Sequence, residues 1–95
     1  MSTEPGFDLD RPWCVDDRVA VRPEPFGALL YHFGTRRLSF LKNATVLAVV
    51  RSLADHPSAR SACAAAGVGA AALPAYERAL ATLAASRMIR ERPVS

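Results

Sequence analysis

The hydrophobic period of this chain changes once, at Asn43, and that change limits the fold more than any other feature. Before Asn43, apolar residues fall in short runs that alternate with polar ones. After it, they recur three and four positions apart. Period two belongs to strands and period 3.6 to helices. The chain should therefore build its sheet first and its helices second.

Three strands are expected. Val15, Val19 and Val21 alternate with Asp16, Arg18 and Arg22, which places the first strand at Arg18–Arg22 after a kink at Asp16-Asp17. Pro23-Glu24-Pro25 stops it, because proline cannot donate to a ladder. The second strand is Phe26–Phe33, Gly34-Thr35 reverses the chain, and the third is Arg36–Leu41. If Phe33 faces Arg36, then Tyr31 faces Leu38 and Leu29 faces Phe40. Side chains alternate along a strand, so these residues share a face, read here as the core face. Leu30, His32, Arg37, Ser39 and Leu41 would then form a mixed solvent face.

Three helices follow. Asn43 is an N-cap for a first helix through Val46, Val49, Val50 and Leu53, ending near Asp55. Ser58 caps a short second helix through Ala66, and Gly67 can close it in the left-handed conformation. Pro74 opens a third, reaching Ser86, with Tyr76, Leu80, Leu83 and Arg87 on one stripe. A Gly would be expected where this helix stops, but Ser86-Arg87 stand there. Met88-Ile89 returns as a short extended segment.

Ninety-five residues suit one domain. Residues 13–92 are read as that domain, 1–12 as a flexible N-terminal tail and 93–95 as a C-terminal tail. Within 1–12, Phe7 and Leu9 could latch onto the surface. The acidic start lacks the form of a signal peptide and no apolar run is long enough to span a bilayer, so a cytoplasmic chain is expected. Cys14 and Cys63 form no metal-ligand or redox spacing and read as small buried hydrophobes.

The charge is uneven. Residues 1–35 hold six acids and three bases, whereas residues 36–95 hold three acids and nine bases. The later part could dock something acidic. Eleven of the twelve bases are Arg, which together with eighteen alanines also fits a GC-rich coding bias.

No catalytic constellation is visible. His32 and His56 have no ligand spacing to a carboxylate or thiol, there is no Gly-rich phosphate loop, and Asp16-Asp17 point to opposite sides of a strand. The expectation is a chain that is not an enzyme and binds no metal or cofactor. The last two helices form a helix-turn-helix, so a small winged-helix DNA-binding regulator is the alternative reading. Base readout is poorly supplied, with no Gln and one Asn in the whole chain. The third strand, at the sheet edge beside the third helix, would instead offer a groove in which an extended peptide adds a strand. Arg36 and Arg37 could equally be charges that blunt that edge.

The run Val19–Tyr31 (VAVRPEPFGALLY), with Leu38–Asn43 and Leu53–Ala59, resembles the PqqD-like recognition elements of ribosomally made, modified peptides, and among them the mycofactocin biosynthesis chaperones. The resemblance covers about residues 13–92. It implies a winged-helix-like fold, three antiparallel strands followed by three helices, that binds the leader of a precursor peptide between the third strand and the third helix. It further implies presentation to a radical S-adenosylmethionine maturase, which carries the iron–sulfur clusters and acts on a C-terminal Val-Tyr. No nucleic acid or membrane partner is implied. By position, Arg36, Arg37, Leu38, Ser39, Phe40 and Leu41 would meet the peptide through their backbone, and Tyr76, Ala79, Leu80, Leu83 and Arg87 would line the opposite wall.

Overall fold

The computed structural model describes residues 7–93. Nine elements follow in order: β1 (Trp13–Val15), β2 (Val19–Glu24), β3 (Gly27–His32), β4 (Leu38–Leu41), α1 (Ala44–Ser52), a 3₁₀ turn (Leu53–Asp55), α2 (Ala59–Ala65), α3 (Leu73–Ala85) and β5 (Ile89–Glu91). The strands β2-β3-β4 form an antiparallel sheet in that order, and the helices follow. This is the expected α+β arrangement.

The register is the expected one, with Tyr31 opposite Leu38 and Leu29 opposite Phe40. The connection is longer than a two-residue reversal. His32 N–H donates to Arg37 O at 3.0 Å, so Phe33–Arg36 form a four-residue loop. Arg36 closes the loop in the left-handed region at φ 62°.

The core face is the opposite of the one expected. Ala28, Leu30, His32 and Leu41 are buried beneath the helices, while Phe33, Leu38 and Phe40 lie exposed. Two features explain the inversion. Ala28 is small and fully buried, so the helix layer approaches the sheet closely there. His32 can be buried because its Nδ1 accepts hydrogen bonds from the backbone N–H groups of Gly34 (2.9 Å) and Thr35 (3.0 Å). A buried polar ring with partners is no marker of a solvent face.

A second, two-stranded sheet pairs β1 with β5, Cys14 lying opposite Arg90. The pairing joins the start of the domain to its end. Arg92 strengthens it by hydrogen-bonding the carbonyls of Trp13 and His56.

The segment from Phe7 to Pro12 packs instead of trailing. Leu9 is buried, Phe7 stacks on Trp13 with ring centroids 4.7 Å apart, and Trp13 Nε1–H donates to Asp8 O. Its carbonyls meet the first turn of α2: Ala59 N–H donates to Arg11 O and Arg60 N–H to Leu9 O. Those donors have no partner within the helix, so the segment completes its N-terminus. The rest of the expected tails, residues 1–6 and 94–95, lies outside the described residues.

Helix ends follow their caps. Asn43 accepts from Val46 N–H and Ser58 from Ser61 N–H, as their positions predict. Beyond α2, Gly67 takes φ +88°, with Val68 N–H bonded to Cys63 O and Gly67 N–H to Ala64 O. Beyond α3 the same pair of bonds recurs, Met88 N–H to Leu83 O and Arg87 N–H to Ala84 O. Here Arg87 itself stands in the left-handed region at φ 63°. The absent Gly is replaced by a strained Arg, and the helix stop is unchanged.

Candidate functional site

β4 is an edge of its sheet. In an antiparallel pair, opposite residues alternately exchange both backbone bonds and none. The His32–Arg37 bond sets the phase, so Leu30 and Ser39 form the next bonded pair. Leu38 and Phe40 therefore turn their N–H and C=O groups away from β3, toward the open edge. The other side of β3 agrees: Phe33 N–H donates to Arg18 O at 2.8 Å, so the backbone groups of the odd-numbered residues face β2. Among the described residues, the edge groups of Leu38 and Phe40 meet no turn, loop or side-chain partner.

Beside this edge runs α3. A cavity of about 680 Å³ separates them, walled by Leu38–Leu41 on one side and by Tyr76, Ala79, Thr82 and Leu83 on the other, with Asn43 and Val46 at one end. The wall is mostly apolar, and Lys42 adds one positive charge. A chain laid along β4 would find four backbone groups to bond, an alternation that fixes its register, and apolar surface for every second side chain.

The residues singled out in the sequence divide into three sets. Leu38, Ser39, Phe40, Leu41, Tyr76, Ala79 and Leu83 come together around this cavity. Leu80 is 1% exposed and belongs to the core. Arg36 and Arg37 sit at the hairpin end, and Arg87 lines a second cavity of about 880 Å³ between the hairpin and the C-terminal end of α3. That cavity holds residues that the sequence did not assign to a site: Trp13, Arg18, Arg90 and the edge of buried His32. The two N–H bonds to Nδ1 put the neutral ring's proton on Nε2, which lies 3.8 Å from Asp16 Oδ1. Trp13-Cys14-Val15 and Met88-Ile89, two short apolar runs set among charges, were the signal that these distant segments meet.

Both cysteines are buried and free, and burial pushes the Cys63 thiol up. Among the described residues, no three His, Cys, Asp or Glu side chains are placed to hold a metal ion.

The peptide chaperone MftB family model matches residues 12–90. The chain belongs to the MftB peptide chaperone family. It is similar to the peptide chaperone MftB of Mycobacterium ulcerans, with 68% identity over 88% of this chain and 77% of the relative. The MftB proteins of Mycobacterium tuberculosis and Mycolicibacterium smegmatis are each 63% identical over 87% of this chain, covering 76% and 81% of their lengths. No solved structure matches. Membership of this family makes the chain a peptide chaperone. Among the described residues no helix is long and apolar enough to cross a membrane.

Proposed function

We propose that this chaperone binds the leader of a ribosomally made precursor peptide as a fourth strand on β4, and that it presents the peptide to a radical S-adenosylmethionine maturase. The observation that carries the reading is the open edge, where the backbone groups of Leu38 and Phe40 face outward beside the apolar wall of α3. Strand addition draws affinity from those bonds and specificity from the side chains that enter the groove. Lys42, Arg36 and Arg37 favour a leader with acidic residues, and salt would weaken that part of the affinity.

The test is calorimetric titration with the synthetic precursor peptide, comparing Phe40→Pro with Phe40→Ala. Both remove the ring, but only proline removes the edge donor, and neither touches a bond to β3. A net hydrogen bond is worth about 1 kcal/mol, and the proline ring also blocks close approach. Phe40→Pro should therefore lose about tenfold or more relative to Phe40→Ala. Equal affinities, in variants with native circular dichroism, would place the peptide elsewhere.

A further inference from the structure

The outer face of the three-stranded sheet is apolar and uncovered. Phe26, Phe33, Leu38 and Phe40, 49–64% exposed, are the large hydrophobic residues that face solvent among those described. The register gathers them. One row runs Phe40–Leu29–Arg22 and the next Leu38–Tyr31–Ala20. Phe26 leans on Phe40 with centroids 6.3 Å apart, and Phe33 meets Tyr31 edge-on at 5.2 Å. Contiguous aromatic surface of this kind marks interaction sites, and aromatic side chains dominate the energy of such contacts.

The charge around this face is predominantly positive. Between residues 18 and 42 the chain carries five bases and a single acid, Glu24. Glu24 pairs with Arg22 at 3.0 Å, yet the Arg22 side chain stays 76% exposed in the same row as Phe40. Arg36 and Arg37 make no ion pair with a described carboxylate. A second copy would present the same excess of positive charge, with Arg36 and Arg37 unpaired by any described carboxylate, so like charges would oppose one another. The complementary occupant is apolar at its centre and carries carboxylates at its rim.

We propose that this outer face docks a folded protein with such a surface, and that, on the reading above, this protein is the maturase. The two sites are compatible, because Leu38 and Phe40 send their backbone groups to the edge and their side chains to the outer face. A peptide strand added to β4 would extend the face by one strand. Its own outward side chains would lie beside Leu38 and Phe40, so the enzyme would meet chaperone and peptide on one continuous surface. That gives presentation a physical form: the sheet holds the leader in the surface that the enzyme recognises.

The experiment titrates the maturase, with precursor peptide present, into wild-type chaperone, the double variant Phe26→Ser/Phe33→Ser, and Arg22→Glu. None of these residues lines the groove beside β4. The double variant should weaken maturase binding by about tenfold or more, as loss of aromatic anchors does. Arg22→Glu should weaken it by about threefold and flatten its salt dependence. Peptide affinity should stay within about twofold of wild type in both, a change too small to signal a lost contact. Unchanged maturase affinity in the double variant overturns the proposal, as does a dimer in sedimentation that Phe33→Ser dissociates. A wild-type chain that binds peptide but not maturase also overturns it and leaves the peptide function standing. A chain that binds no peptide overturns the function itself.

Discussion

The two faces of the three-stranded sheet are both apolar, yet they serve opposite ends. The inner face presents Ala28, Leu30 and Leu41, each at most 3% exposed, with His32 tied to its own turn. The outer face presents larger and more aromatic side chains, and leaves them in water. Size alone would assign the core to the outer set. Room for the helices and satisfaction of the one polar ring assign it to the inner set. On the proposal above, the apolar face without a helix over it is the docking surface.

Mutation should separate the faces most sharply at Leu30 on the inner face and Phe40 on the outer. Leu30→Ala removes a fully buried side chain and leaves a cavity beneath the helices, costing about 3 kcal/mol in urea unfolding. Phe40→Ala removes a larger side chain but one 64% exposed, and should cost under about 0.5 kcal/mol. If the two losses were equal, the assignment of faces would be wrong.

The pairing of the strands was legible because local signals set it. Gly34 separates the second and third runs, and residues 28–31 and 38–41 can align in one way only once the turn is placed, although β2 continues through Pro23 to Glu24, past the stop expected at Pro23-Glu24-Pro25. Which face receives the helices was not legible, since both alternating sets are apolar and the choice depends on the packing of α1 above Ala28. The β1–β5 pairing escaped for a different reason. Three-residue strands at opposite ends of the chain carry little periodic signal, and their contact is wholly non-local. At the candidate site, the strand and helix were legible, but not which backbone groups look outward. That phase follows from loop length: a four-residue loop makes His32 and Arg37 a bonded pair and so turns Leu38 and Phe40 to the edge.

A smaller effect should come from Gly27, where β3 begins. Its φ is +155°, and a Cβ there would overlap the Leu41 carbonyl oxygen and crowd Asn43 N. Both neighbours are backbone, so neither can swing aside, and Asn43 caps α1. Gly27→Ala should cost about 2 kcal/mol by chemical denaturation. It should also lower peptide affinity, because it displaces the end of β4. A variant as stable as wild type would mean that β4 lies farther from β3 at this end.

The smallest effect is a gain. The inner side of the sheet opens to solvent at the hairpin end, in the cavity that Arg87 shares with Arg18, Arg90 and His32. Arg87 and Gly67 end their helices with the same pair of backbone bonds, but only Gly67 is free of a Cβ penalty. A non-glycine residue in the left-handed region costs about 1 kcal/mol. Arg87→Gly should therefore stabilise the fold by about that amount and raise Tm by several degrees, roughly 4–8 °C for a domain of this size. If the Arg87 guanidinium attracts an acidic leader, the same variant should bind the precursor about threefold more weakly at low salt and nearly as well at high salt. Higher stability with unchanged affinity would make Arg87 only a costly helix stop. Higher stability with weaker binding would make its strain the cost of holding a positive charge in the cavity at the C-terminal end of α3.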